Sequence, residues 1–167
     1  MATAKLLLGI LCFTAFGRSG IPQRSPVKEV MNVARAELGV RELTGKNDGI
    51  KVEGYLKYVG FKKGNPWCAA YVSWVFKQAG YPAPKTAWSP ALFPTDHLEK
   101  EPSVGMVFGI YFSDLKRIGH CGLVENLQGD FVLTIEGNTN VEGSREGQGV
   151  YRRLRHKRTI HKYANWL

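Results

Sequence analysis

Cys68 opens an apolar run, Ala69-Ala70-Tyr71-Val72-Ser73-Trp74-Val75-Phe76, directly after Asn65-Pro66-Trp67. Downstream come Gly119-His120 and then Glu136-Gly137-Asn138. A thiol at a helix start, a histidine, a carboxylate and an amide are the parts of a cysteine hydrolase. The unpaired N–H groups at a helix N-terminus favour thiolate over thiol. In such a site Cys68 attacks an amide carbonyl, and His120 is first the base and then the acid for the leaving amine. Glu136 orients the imidazole and stabilises its cation, and Asn138 adds a hydrogen bond. The backbone N–H of Cys68 is one natural oxyanion donor, and the sequence does not identify the other.

This chemistry needs elements that hold the residues together. The Cys68 helix is expected to run to about Ala79 and stop at Gly80. Only Ser73, Lys77 and Gln78 are polar in its body, so it should be central and mostly buried. His120 should begin a strand after Gly119. Glu136 should end the strand paired with it across the turn Gln128-Gly129-Asp130. Residue 120 lies nine positions before 129 and residue 136 lies seven after. A slight shift of register therefore brings the two near-opposite.

Around this centre, Ser25-Pro26 reads as an N-cap followed by proline at the first helical position. Val27, Val30, Met31, Ala34 and Leu38 continue at helical spacing until Gly39. Residues 44–49 are turn-rich, with Asn47-Asp48-Gly49 read as a turn rather than a site. Val52, Tyr55, Leu56 and Val59 mark a second short helix ending at Gly60. Residues 81–103 hold five of the chain's eight prolines and form an irregular loop. Trp88 and Phe93 in it either line a groove or pin the loop to the core. Val104–Phe112, Gly119–Leu127, Phe131–Glu136, Gly149–Leu154 and Arg158–Tyr163 are candidate strands. Helices first and antiparallel strands after give an α+β layout, with N-terminal helices packed on a C-terminal sheet.

The chain has 167 residues, 44% hydrophobic, which suits one domain with a real core. Residues 1–17 read as a signal peptide: Lys5, an apolar stretch from Leu6 to Phe16, and small residues near Gly17. Residues 18–26 then form a lead-in and residues 27–167 a single catalytic domain, placed in the periplasm or secreted. The formal charge is +9, concentrated late at Arg152, Arg153, Arg155, Lys157, Arg158 and Lys162. Such a surface attracts anionic wall polymers or lipid headgroups, and solvation of a basic strand face explains it equally well. No nucleic-acid motif is present. His97, His156 and His161 lack ligand-like spacing, so neither metal nor other cofactor is expected. Cys121 adjoins His120, so strand alternation should turn it away from Cys68 as a small buried hydrophobe, not a disulfide partner.

The stretches Trp67-Cys68-Ala69-Ala70-Tyr71-Val72-Ser73-Trp74, Gly119-His120-Cys121-Gly122-Leu123-Val124 and Glu136-Gly137-Asn138-Thr139-Asn140 resemble the CHAP amidase/peptidase family. The resemblance covers about residues 27–155. It implies a papain-like fold and hydrolysis of peptidoglycan, as a muramoyl-alanine amidase or a stem-peptide endopeptidase; the chain itself is expected to be a monomer. By family pattern Cys68 is the nucleophile, His120 the base, Glu136 the orienting acid and Asn138 a fourth polar member. Gly143-Ser144-Arg145-Glu146-Gly147 is similar to a loop that follows in some members. Cys121 departs from the small or β-branched residue often found there. Two rival readings keep the fold: an inactive wall-binding module, and an antibacterial toxin or phage-type lysin with the same chemistry.

Overall fold

A computed structural model describes residues 25–167. The expected signal peptide and most of the lead-in lie outside the described residues.

Three helices precede the sheet. They are α1 (Pro26–Ala36), α2 (Ile50–Tyr58) and α3 (Cys68–Gln78). Pro26 sits in the first turn of α1 after Ser25, as the capping pattern predicts, although the Ser25 side chain makes no cap hydrogen bond. Val30, Met31 and Ala34 form its buried stripe, and Val52, Tyr55 and Leu56 that of α2. α3 is buried nearly all round, so it packs as the central helix the sequence predicts.

The sheet has six antiparallel strands in the order β1-β6-β2-β3-β4-β5. They are β1 (Leu98–Glu99), β2 (Val107–Phe112), β3 (Arg117–Gln128), β4 (Phe131–Thr139), β5 (Gly149–His156) and β6 (Lys162–Ala164). The expected α+β layout, with N-terminal helices packed on a C-terminal antiparallel sheet, is therefore the observed one. β1 is not foreseen. It is two residues long, inside the proline-rich loop, and forms only by pairing with β6. The strand expected over Arg158–Tyr163 shortens to β6, because Lys157–Thr159 forms a 3-10 turn.

One face of the sheet carries Val107, Cys121, Leu123 and Ile135 into the main core under the helices. A smaller cluster contains Phe108, Val124, Val132 and Tyr163. The two aromatics of the long loop take different roles. Phe93 is buried against the gap left by Gly109, where a Cβ would lie 2.6 Å from its ring. Trp88 is 54% exposed and lines a cleft. No described helix is long and apolar enough to cross a membrane.

Candidate active site

Trp67, the residue before α3, is fully buried, and its indole N–H donates to Glu42 Oε1 at 2.9 Å. Glu42 Oε2 accepts the backbone N–H of Asn47 at 2.9 Å, so the 44–49 turn is tied to the helix entry. Gly137 faces this corner. A Cβ there would lie 2.8 Å from both Trp67 and Tyr71, so glycine allows β4 to press against α3. No side chain caps α3. The first helical hydrogen bond runs from Tyr71 N–H to Trp67 C=O, so the N–H groups of Cys68, Ala69 and Ala70 have no acceptor within the helix. Cys68 therefore stands in a field that favours an anion.

His120 lies on β3 and is completely buried. Its Nε2 meets Glu136 Oε2 at 2.8 Å. β3 pairs with β4 through Leu123↔Ile135 and Val124↔Thr134, with a register irregularity before Asn126. Glu136 thus falls beside Gly122, and His120 is two residues along on the same face. The pair is diagonal rather than opposite. Gly122 makes this reach feasible: a Cβ there would lie 2.9 Å from Glu136 Cγ and 2.8 Å from the Ile135 carbonyl oxygen.

The other Glu136 oxygen is also engaged. Thr134 Oγ1 donates to Oε1 at 2.5 Å, and Arg155 Nε donates to the same oxygen at 2.6 Å. Arg155 Nη2 reaches Oε2 at 2.5 Å and the Gly143 carbonyl at 3.2 Å. Burial alone would push the Glu136 carboxyl up. Arg155 and then His120 outweigh it and hold the group at about 2. Glu136 is therefore a carboxylate at any working pH, fixed by a bidentate guanidinium.

With Nε2 committed to Glu136, the His120 Nδ1 is buried and has no hydrogen-bond partner. It is the nitrogen left for the thiol. Cys68 and His120 perturb each other directly. Burial would push the imidazole down, but Cys68 and Glu136 raise it to about 9. The Cys68 thiol is pulled well below its ordinary range by Cys121, His120 and Ser89, against its burial. A thiolate–imidazolium pair suits this geometry, and such a pair can attack a carbonyl and protonate a leaving amine.

Two partners of the thiol are not evident from sequence. Ser89 Oγ lies 3.4 Å from Cys68 Sγ. Cys121, expected to face away, also meets Ser89 Oγ, at 4.0 Å, and interacts with Cys68. The expectation fails because Cys121 shares with Leu123 and Ile135 the face of the sheet that the helices cover, which is where Cys68 lies, and the register over residues 120–123 is regular. Its other half holds: Cys121 is fully buried and both thiols are free. Burial, and then Cys68, push the Cys121 thiol well up, so it keeps its proton and donates it toward Ser89 Oγ.

Asn138 adopts a left-handed backbone, with φ 58°. Its amide is buried without a hydrogen-bond partner and lines a separate polar cleft of about 400 Å³ with Glu42, Asn140 and Tyr151. Cys68 opens instead into a cleft of about 290 Å³ between Trp88, Pro66 and Arg145. No described group of three or more His, Cys, Asp or Glu side chains is arranged to hold a metal.

The basic strands are partly neutralised. Arg152 and Arg35 both pair with Glu125, and Arg155 is taken by Glu136. Arg155 was legible only as one of several late cations. Its role depends on a pairing across β4 and β5 that no local pattern announces.

Among known proteins, the CHAP domain family model matches residues 60–138. The crystal structure of Ly7917 with the hydrolyzing product of MDP is similar at 17% identity and a TM-score of 0.48, covering 82% of this chain and 61% of that one. The crystal structure of Ly7917 is similar at 18% identity and a TM-score of 0.49, covering 82% and 60%. The chain thus spans about three fifths of the length of these matched structures. No curated protein matches it.

Proposed function

We propose that this chain, which carries a CHAP domain over residues 60–138, is an exported cysteine hydrolase of peptidoglycan amide bonds, working in the periplasm or outside the cell. The bond is the muramoyl-alanine amide or an amide of the stem peptide. The observation that carries the reading is the buried chain of contacts from Arg155 through Glu136 to His120, ending at a thiol on an uncapped helix start.

In this mechanism the Cys68 thiolate adds to the amide carbon, and the carbonyl oxygen gains the negative charge. The Cys68 backbone N–H is one donor to that oxyanion. His120 gives its Nδ1 proton to the leaving amine, and the C–N bond breaks to leave a thioester. Water then attacks the thioester, with the neutral imidazole taking its proton and the thiolate leaving. Glu136 stays ionised throughout and keeps Nε2–H donated to it. Arg155 and Thr134 fix the carboxylate, so the imidazole cannot swing.

The test is digestion of purified peptidoglycan by residues 18–167, with mass-spectrometric identification of products. New amine and carboxyl termini at one type of amide bond are expected. Intact peptidoglycan after incubation with folded protein would favour the rival reading of an inactive wall-binding module.

A further inference from the structure

The cleft that Cys68 opens into is bordered by two arginines and by no carboxylate. Arg117 comes from the first residue of β3, and Arg145 from the loop after β4. Neither placement is explained by the roles given above to Cys68, His120 and Glu136.

Arg117 is held in place without a counter-ion. Its guanidinium lies 4.1 Å over the Trp88 ring, and Nη1 donates to the Ile118 carbonyl at 2.9 Å. Among the described residues no carboxylate pairs with it. A guanidinium so held has lost much of its freedom already, and most of its five N–H donors remain unused. Arg145 runs across Gly119, beside His120. A Cβ at residue 119 would lie 3.1 Å from Arg145 Cδ, so glycine makes the crossing feasible. Its guanidinium gives one contact to Glu146, at 2.8 Å, on a half-exposed rim. Together with the open N–H groups of α3, the cleft presents donors and positive charge around the thiol.

We propose that Arg117 and Arg145 form an anion subsite that selects acyl or amine components carrying a free carboxylate near the scissile amide. Stem peptides of peptidoglycan carry such carboxylates, and these are carboxamides where the peptide is amidated. A planar guanidinium matches a carboxylate bidentately and gains far less from a neutral carboxamide. The position of the carboxylate relative to the cut bond rests on the hydrolase reading above; the subsite itself does not.

The experiment separates the two. Cys68→Ala protein is titrated calorimetrically with a synthetic L-alanyl-γ-D-glutamyl stem peptide bearing free carboxylates, and with the same peptide fully amidated. The acidic peptide should bind about ten-fold more tightly, the gain of a charge-assisted contact. Adding R117Q or R145Q should shrink that ratio, and both together should abolish it, weakening the acidic peptide far more than the amidated one. R117K, which keeps the charge, should retain part of the preference. Equal Kd values for the two peptides, no binding of either, or a ratio that survives the double variant would overturn the subsite. Preferential binding without peptidoglycan turnover by the Cys68 protein would sustain the subsite and remove the hydrolase reading. Turnover without preference would do the reverse.

Discussion

At the scale of single residues, the chemistry rests on two buried groups sharing one proton. Cys68 is drawn well down and His120 is raised to about 9, each partly by the other. An isolated thiol is almost wholly protonated at pH 6. Cys68 should instead alkylate with iodoacetamide far faster there than an ordinary thiol does, and the midpoint of its pH profile should lie well below the ordinary thiol range. In His120→Ala the midpoint should move up toward that range. A midpoint unchanged by the substitution would mean that the helix start and Cys121 alone stabilise the thiolate. Cys121 itself, fully buried and shifted the other way, should stay unmodified in the folded protein.

At the scale of elements, glycines and strand pairing decide which side chains meet. Gly122 lets Glu136 reach diagonally to His120. In Gly122→Ala the new methyl group presses on the Ile135 carbonyl and on the Glu136 side chain. Overpacking of this kind costs about 1–3 kcal/mol, and the displaced carboxylate should lower kcat more than it raises KM. Unchanged kcat with the full stability loss would show that Glu136 does not orient the imidazole. Much of this arrangement was legible beforehand. The apolar run after Cys68 could only be a buried helix, and Gln128-Gly129-Asp130 sits where β3 turns into β4. What was not legible depends on partners far away in sequence. Ser89 reaches the thiol only because the proline-rich loop folds back over the sheet. Arg155 reaches Glu136 only through the pairing of β4 with β5. Cys121 was misplaced because the sequence does not say which face of β3 the helices cover: Cys121 points with Leu123 and Ile135 into the core beneath α3, beside Cys68.

At the scale of the whole molecule, the same groups set how stability follows pH. Ordinary values are 9.0 for cysteine, 6.5 for histidine and 4.5 for glutamate. Between about 6.5 and about 9 the folded His120 keeps a proton that the unfolded chain loses, which disfavours folding as pH rises. Over the same range folded Cys68 is already ionised while the unfolded thiol is not, which favours it equally. The two slopes cancel, so the Tm should be level there. Below about 6.5 the folded state still excludes a proton from Cys68, and from about 4.5 down toward about 2 from Glu136 as well, so the Tm should fall. Above about 9 the Tm should fall again, because buried Cys121 must stay protonated while the unfolded thiol ionises. Scanning calorimetry from pH 3 to 10 reads this directly. A Tm that climbs steadily from 6.5 to 9 would mean that His120 is not held as the cation.

The most direct measurement is the rate at which Cys68→Ala releases fragments from purified peptidoglycan, beside the unsubstituted chain and with matched Tm. Loss of turnover to background, with the fold intact, is what a thiolate nucleophile at the start of α3 requires. Turnover at the unsubstituted rate would contradict it and would place the chemistry elsewhere on the molecule.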